Sequence, residues 1–236
     1  MAEHSWWSDL FAEIDVATNR QQVIDQICCA ADQLGFDYWA YGARPSLPSR
    51  PGEVEVLNSY PAEWMAHYHA EQFLEIDTSV SLAAQRATTI TWKAAKEMGG
   101  DKLWSDAADF GLNVGVAHPS WNRTGSFGLL TLARRKGPLS AEEQRVVAPQ
   151  LAWLSPLIHG KLSSLKPARQ QGVHQLSSRE IEILRWTALG KTAAEVASIF
   201  GITTRTVNFH VANILVKLDA QNKIQAAVRA TILGML

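Results

Sequence analysis

The chain has 236 residues, of which 47% are hydrophobic and 19% are charged, and its formal net charge is −1. This composition is enough to bury a core, which excludes an intrinsically disordered protein. No apolar run approaches the roughly eighteen residues of a membrane-spanning helix, and the polar, acidic N-terminus does not resemble a signal peptide. We therefore expect a cytoplasmic protein.

The small net charge conceals two parts of opposite charge. From Lys161 to the end there are ten Lys and Arg against four Asp and Glu, whereas the preceding residues have twelve against nineteen. Eight of the nine tryptophans lie in the acidic part. The basic part favours a nucleic-acid partner, and the aromatic part favours an interior with room for a small guest.

Helices and strands both occur in the acidic part. Helical spacing of apolar residues predicts helices over residues 7–17, 21–34, 61–73 and 103–110, and β-forming residues predict strands over 36–43, 54–59, 113–118 and 126–133. Cys28 and Cys29 are expected to be reduced core residues of the second helix. This order predicts an α/β/α sandwich of the sensory kind, with a mostly antiparallel sheet.

A long helix closes the acidic part. It is predicted to begin at Ser140, in a capping box with Glu143, and Pro149 and Pro156 are expected to kink it or break it. Residues 160–175 contain Gly, Pro, Ser and Gln without a sustained period, which is typical of a linker. We expect an α+β protein with a sensory domain over 1–162, a linker over 163–175 and an all-α domain over 176–236.

The basic part has the pattern of a helix-turn-helix. Ser177 and Thr192 each begin a capping box, Gly201 provides a short turn, and Thr203 can cap the helix that follows. Two helices joined by such a turn are the DNA-binding arrangement.

The second of these helices has two distinct faces. Its apolar stripe consists of Val207, Val211, Ile214 and Leu218, and the opposite face carries Arg205, Asn208, Phe209, Ala212 and Asn213. Guanidinium, amide and apolar groups can contact base edges, and no acidic residue interrupts the helix. Thr204, Thr206, Lys191, Thr192 and Lys217 complete the predicted DNA-binding set. The alternative is a helical bundle with an ordinary solvated face.

The stretch from Leu176 to Leu218 resembles the DNA-binding domain of the LuxR family. It contains the residues that this family keeps, namely Glu180, Leu184, Gly190, Thr206, Val207, His210 and Lys217. This resemblance covers the last quarter of the chain and implies binding of a homodimer to palindromic DNA. The final helix, Asn222–Leu236, is then a candidate dimer face.

The acidic part resembles the autoinducer-binding domain of quorum-sensing LuxR receptors. The resemblance rests on NSYPAEWMAHYHAEQFLEID (58–77), on ITW ending at residue 92, and on ADFGLNVGV around residue 115. It implies an N-acyl-homoserine lactone as ligand and no cofactor. The acidic cluster, central Asp and late Lys of a phosphoacceptor receiver are missing from this sequence.

The resemblance also implies roles for individual residues. Trp64 would donate to the lactone carbonyl, Asp77 would accept from the amide N–H, and Tyr60, assisted by Thr131, would donate to the amide carbonyl. The predicted walls are Tyr68, Trp92, Trp104 and Leu112, with Gly115 allowing close backbone approach and Ala40 beside the acyl tail. Thr78 replaces the proline that the family usually has after this aspartate.

Simpler roles compete with these assignments. Trp92 and Trp104 can be ordinary core residues, and Asp77 can be only a helix cap. The front domain can also sense a different small molecule or a protein partner. His67 and His69 flank Tyr68 at a spacing that disfavours a metal site, and the sequence has no nucleophile motif, so we expect no metal and no enzyme.

Overall fold

The computed structural model describes residues 5–46, 53–123, 125–165 and 176–236. The chain divides into two compact units, and the main boundary follows Leu165. None of the helices within these ranges is long and apolar enough to cross a membrane.

The N-terminal unit contains seven α-helices and five strands among its described residues. The elements are α1 (Ser5–Val16), α2 (Arg20–Gln33), β1 (Tyr38–Arg44), β2 (Glu55–Asn58), α3 (Ala62–Ala70), a 3-10 helix (Phe73–Glu75), α4 (Thr78–Gln85), β3 (Ile90–Thr91), α5 (Trp92–Lys96), α6 (Asp101–Asp109), β4 (Val114–Trp121), β5 (Phe127–Arg134) and α7 (Ala141–Ser164). The strands form one antiparallel sheet in the order β2-β1-β5-β4-β3.

Alternation along the strands gives the sheet two buried faces. Trp39 and Tyr41 share a core with α1, α2 and α7, whereas Tyr38, on the opposite face, packs into a second core with α3, α5 and α6. The sheet is therefore enclosed between two helical layers. This confirms the predicted α/β/α sandwich.

Helix α7 differs from the prediction. It is one continuous helix through Pro149 and Pro156, and it extends to Ser164. Its buried side chains, including Leu151, Leu154 and Ile158, pack on the sheet, and this tertiary packing offsets the local cost of the two prolines. The first two residues of the predicted linker, 163 and 164, are consequently helical, and residues 166–175 lie outside the described residues.

Three short elements were not predicted, and the burial of the two cysteines was predicted wrongly. Helices α4 and α5 and the short strand β3 were not predicted, because eight or fewer residues give a weak periodic signal. Cys29 is exposed and Cys28 is only half-buried, so the expectation that both are core residues is wrong. Cys28 accepts a hydrogen bond from the indole of Trp39 at 3.2 Å.

Gly160→Ala is expected to stabilise the N-terminal unit by about 0.5–1 kcal/mol. Gly160 lies inside α7, is exposed, and a Cβ built on it meets nothing within 4 Å. Alanine therefore lowers the entropy of the unfolded chain without a steric cost. Urea unfolding measures the change, and a lower midpoint for the variant would contradict it.

The C-terminal unit is helical throughout its regular elements. Its helices are α8 (Ser178–Ala188), α9 (Ala193–Phe200), α10 (Thr204–Lys217) and α11 (Lys223–Ile232). Capping boxes are present at Ser177 and Thr192, Thr203 caps α10, and Gly201 has the left-handed φ of 64° that the turn requires. The predicted helix-turn-helix is therefore confirmed, although α11 ends at Ile232, before the predicted Leu236.

Candidate ligand site and nucleic-acid interface

An aromatic cluster lies between the sheet and the helices α3, α5 and α6. Six of the predicted ligand residues belong to it: Trp64, Trp92, Trp104 and Leu112 are buried, and Tyr60 and Tyr68 pack against them. Phe73 and Phe110, which were not predicted, lie 6.0 and 5.6 Å from the ring of Trp64. The fold thus gathers residues that are more than fifty positions apart in sequence.

Asp77 lies at the edge of this cluster and caps α4. Its Oδ1 accepts from the backbone N–H groups of Ser79 and Val80, at 2.8 and 3.3 Å, and from the Ser79 hydroxyl at 2.6 Å. Its Oδ2 accepts one hydrogen bond, from the Tyr68 hydroxyl at 2.9 Å. The helix-cap alternative is therefore correct for Oδ1, while Oδ2 retains capacity for a second donor.

Thr78 follows Asp77 at the first position of α4. Proline is favoured at this position because its backbone nitrogen would have no helical partner there. Threonine keeps the same cap, and its hydroxyl accepts from the Trp104 indole at 3.3 Å. With threonine at this position, Asp77 is still the N-cap of α4.

The two tyrosines beside Asp77 remain protonated. Burial, reinforced by the Asp77 carboxylate, raises the pKa of the Tyr68 hydroxyl and that of Tyr60. The Tyr68 hydroxyl donates its hydrogen bond to Asp77, whereas the Tyr60 hydroxyl has no hydrogen-bond partner among the described residues. Tyr60 is thus an unused donor next to a carboxylate.

Two further polar groups in this region have no partner within the described ranges. Trp64 is 3% exposed and Thr131 is 7% exposed, yet neither the Trp64 indole N–H nor the Thr131 hydroxyl makes a hydrogen bond there. The Trp64 indole nitrogen and the Thr131 hydroxyl oxygen each keep some accessible surface, because they are absent from the fully enclosed atoms that lack a partner in the described ranges. A buried residue with an accessible, unused donor is suited to a ligand.

The other two tryptophans of the cluster have different surroundings. The Trp104 N–H donates to the Gly99 carbonyl at 3.0 Å, so this indole is already satisfied. The Trp92 N–H is fully enclosed and has no partner in the described part of the chain, and its ring lies 5.3 Å from that of Trp104. A Cβ on Gly115 would come within 2.5 Å of the Trp92 ring, so Gly115 accommodates this tryptophan.

Small residues line the sheet beneath the cluster. Ala40 of β1 pairs in register with Thr131 of β5, which pairs with Ala117 of β4. Ala40 is only half-buried, and a Cβ added to Gly42, on the same face, meets nothing within 4 Å. This part of the sheet therefore leaves space for an apolar group.

Two histidines of the N-terminal unit make side-chain hydrogen bonds. His67 bonds to Asp106 at 2.7 Å, and His118, whose pKa is lowered by burial, bonds to Thr89 at 2.8 Å. Within the described ranges, no group of three or more His, Cys, Asp or Glu side chains is placed to hold a metal ion.

The two faces of α10 are separated as predicted. The apolar stripe is buried, whereas Thr204, Arg205, Asn208 and Ala212 are exposed and Thr206 and Asn213 are half-buried. Phe209 is 63% exposed, which is unusual for a phenylalanine. The flanking residues Lys191 and Thr192 are also exposed, and both bond to Glu195.

Lys217 is placed differently from the predicted interface. Its Nζ donates to Glu180 Oε2 at 2.7 Å, and Glu180 is 3% exposed. The ion pair joins the end of α10 to the start of α8, where Glu180 also accepts from the Ser177 backbone N–H at 2.7 Å. We therefore assign Lys217 a structural role in this ion pair, and its predicted role as a flanking DNA contact stays a prediction.

Lys217→Met is expected to destabilise the C-terminal unit by about 3 kcal/mol, the lower end for breaking a buried pair, since Lys217 is 30% exposed. Burial acts to raise the pKa of Glu180, but hydrogen bonds from Lys217 and Ser177 outweigh it and lower the pKa below its ordinary value. The pair's contribution is therefore present above pH 4.5 and is lost as the pH falls below it.

Urea unfolding of the full chain at neutral and acidic pH measures this effect. Lys191→Met is the matched control, because its pair with Glu195 is exposed on both sides and contributes about 0.5 kcal/mol or less. Equal stability losses in the two variants at neutral pH would contradict the assignment of Lys217.

The comparisons with known proteins agree with this architecture. Residues 19–162 match the autoinducer binding domain family, and residues 174–230 match the family described as bacterial regulatory proteins, luxR family. The transcriptional activator protein SolR of Ralstonia nicotianae is 44% identical over 232 residues, which cover 98% of both chains. The HTH-type quorum-sensing regulator RhlR of Pseudomonas aeruginosa is 33% identical over 98% of this chain and 96% of its own.

Solved structures of SdiA extend the similarity to three dimensions. A crystal structure of Escherichia coli SdiA matches with a TM-score of 0.81 and 30% identity, over 99% of this chain and 98% of that one. SdiA in complex with octanoyl-rac-glycerol matches with a TM-score of 0.80 and 30% identity, over 98% and 96%. The chain therefore belongs to the LuxR family of bacterial transcriptional regulators, as a quorum-sensing type that joins an autoinducer-binding domain to a DNA-binding helix-turn-helix domain.

Proposed function

We propose that this protein is a transcription factor controlled by an N-acyl-homoserine lactone, which binds in the aromatic cluster of the N-terminal unit. One observation carries the proposal: within the described residues Trp64, Tyr60 and Thr131 have unused donors on the side of the sheet that faces the aromatic cluster, and Asp77 at the edge of this cluster has acceptor capacity left. The ligand has the complementary groups, namely an amide N–H, an amide carbonyl and a lactone carbonyl.

Each polar group of the ligand then has a partner. Asp77 Oδ2 accepts from the amide N–H, Tyr60 and Thr131 donate to the amide carbonyl, and Trp64 donates to the lactone carbonyl. A buried polar group left without a partner costs about 1–3 kcal/mol, so this matching decides whether the ligand can be enclosed. Tyr68 supports the site by holding Asp77 Oδ2 in place.

The apolar parts of the ligand contact the rest of the site. Trp92, Trp104 and Leu112 form the wall, and the acyl tail lies along the small side chains of the sheet beside Ala40 and Gly42. The open space around Gly42 supports this placement of the tail. Gly115 contributes indirectly, because it admits the Trp92 ring.

The C-terminal unit is proposed to bind palindromic operator DNA as one half of a homodimer. Arg205, Asn208, Phe209, Ala212 and Asn213 would contact base edges, with Thr204, Thr206, Lys191 and Thr192 contacting the phosphate backbone. Helix α11 supports the dimer, since Ile224 is 78% exposed and Val228 is 41% exposed. Binding to operator DNA implies action in the bacterial cytoplasm.

A second ligand class has specific support. SdiA has been solved with octanoyl-rac-glycerol, an acylated glycerol, and it resembles this chain over nearly its full length. An acylglycerol lacks the amide N–H, so it would leave the spare acceptor position of Asp77 Oδ2 to a hydroxyl group. The two ligand classes therefore differ in their use of Asp77.

Native mass spectrometry of the full chain, expressed with and without a mixture of acyl-homoserine lactones, tests the proposal. We expect one retained lactone per chain, and its mass also identifies the tail. Folded protein that retains no lactone, or retains an acylglycerol instead, would overturn it. A retained acid one water heavier than the lactone would reveal hydrolysis and would contradict our proposal of binding without catalysis.

A further inference from the structure

Helix α3 with its C-cap residue Glu71 is joined to α6 with its C-cap residue Phe110 by three side-chain pairs. Trp64 lies 5.6 Å from Phe110 between ring centroids, His67 Nε2 lies 2.7 Å from Asp106 Oδ2, and Glu71 pairs with Lys102. The α3 partners follow one another at three and four residues, and the α6 partners run in the opposite order. The pairs therefore form three successive rungs between antiparallel helices.

The middle rung touches the proposed ligand residue Trp64. The imidazole of His67 lies 6.1 Å from the Trp64 ring, 5.5 Å from Phe73 and 6.1 Å from Phe110, with an interplanar angle of 28° to the last. Asp106 fixes the orientation of the imidazole from the other helix through the hydrogen bond to Nε2. The Trp64 indole therefore packs on a ring whose rotation is restrained by a charged acceptor.

We propose that His67 and Asp106 are positioning residues that orient the Trp64 indole N–H toward the lactone carbonyl. This inference rests on the proposed function, and neither residue contacts the ligand in it. The expected consequence is selectivity rather than overall affinity. Loss of the pair frees the indole, so a ligand with a lactone carbonyl loses its advantage over one without that carbonyl.

The outer rung provides a matched control. Glu71 and Lys102 join the same two helices one turn away, and their side chains are 39% and 58% exposed. The Lys102 ammonium lies 5.4 Å from the ring of Phe73, and neither partner makes a ring contact with Trp64. Loss of this pair weakens the attachment of α3 to α6 without freeing the indole.

Two ligands that differ only in the lactone carbonyl and ring oxygen test the proposal. We would first select the tightest-binding member of a series of acyl-homoserine lactones, and pair it with the N-cyclopentyl amide of the same fatty acid. The amide and the tail are then identical. Competition of the two ligands for the full chain, measured by native mass spectrometry, gives the ratio of their affinities even where folding requires a ligand.

The wild-type chain is expected to prefer the lactone by about tenfold or more, since the N-cyclopentyl ligand lacks the carbonyl that accepts a hydrogen bond from Trp64 in the site. Trp64→Phe removes the donor and should reduce the preference to about onefold. His67→Leu and Asp106→Leu should approach the same value, and Lys102→Met should retain the wild-type ratio. His67→Gln, which can still donate to Asp106, should restore part of the preference.

The outcomes separate the inference from the proposed function. A wild-type chain that binds neither ligand, or does not distinguish them, overturns the proposed lactone site itself. A wild-type preference that persists in both His67→Leu and Asp106→Leu overturns only the positioning role, as does an equal loss of affinity for both ligands. If His67→Leu does not fold, Asp106→Leu and His67→Gln still decide the question, because each alters the middle rung differently.

Discussion

Asp77→Asn is expected to weaken binding of the lactone by about 2–3 kcal/mol, or about 30- to 150-fold in Kd, while the domain stays folded. Asparagine is as good a helix cap as aspartate, so a carbonyl oxygen in the place of Oδ1 keeps the bonds to Ser79 and Val80. An amide nitrogen then replaces Oδ2, and it opposes the N–H of the ligand with another donor. Titration of the purified full chain with ligand measures the loss.

A control separates the cap from the ligand contact. Thr91→Ala removes the N-cap of the nearby helix α5, where the Thr91 hydroxyl accepts from the Ala94 N–H at 3.2 Å. It should cost about 1 kcal/mol of stability and leave the Kd unchanged. Asp77→Ala loses both the cap and the ligand contact. Asp77→Ala and Trp64→Ala should each abolish the response to signal. Wild-type affinity in Asp77→Asn would show that the carboxylate is only a cap.

Gly115→Ala should destabilise the N-terminal unit by about 2–3 kcal/mol. The new Cβ would lie 2.5 Å from two atoms of the Trp92 ring and 3.0 Å from the Leu132 carbonyl oxygen. Trp92 is 6% exposed and packs on Trp104, so displacement of its ring would disturb the wall of the proposed site. Ligand binding should therefore weaken together with stability, as measured by urea unfolding and by titration.

Two further variants test the cause of that loss. Gly42→Ala lies on the same face of the sheet, where an added Cβ meets nothing within 4 Å, and it should leave stability within about 0.5 kcal/mol of wild type. A smaller ring in Gly115→Ala/Trp92→Phe should recover part of the lost stability. If Gly115→Ala behaved like Gly42→Ala, the close contact with Trp92 would not constrain the fold.

The features that sequence predicts best depend on residues close together in the chain. The capping boxes at Ser177 and Thr192 span three residues, and the stripe of α10 repeats every three or four, so both are visible without tertiary information. The role of Asp77 as a helix cap could be anticipated for the same reason, since the cap involves Ser79 and Val80, two and three residues further along the chain. The family resemblance supplied the ligand chemistry, which local patterns alone do not encode.

Contacts between distant residues could be decided only by the folded structure. His67 and Asp106 are 39 positions apart, and Lys217 and Glu180 are 37 positions apart. The residues adjacent in sequence to His67 or Lys217 therefore do not indicate the partner. The sequence therefore predicted Lys217 as a flanking DNA contact and did not predict its ion pair with Glu180. Helix α7 is a similar case. It continues through two prolines because it packs on the sheet, and this packing exists only in the folded chain.

Periodicity, caps and charge act locally, so the amino-acid sequence alone predicts the two-part organisation and the helix-turn-helix, whereas the residues of the ligand site were predicted from the family resemblance. The tertiary structure decided which polar groups are already satisfied and which remain unused. Among the residues that the structure describes, the donors of Trp64, Tyr60 and Thr131 have no partner, whereas those of Trp104 and Lys217 do. That distinction depends on packing and strand register, which bring together groups that no sequence interval connects.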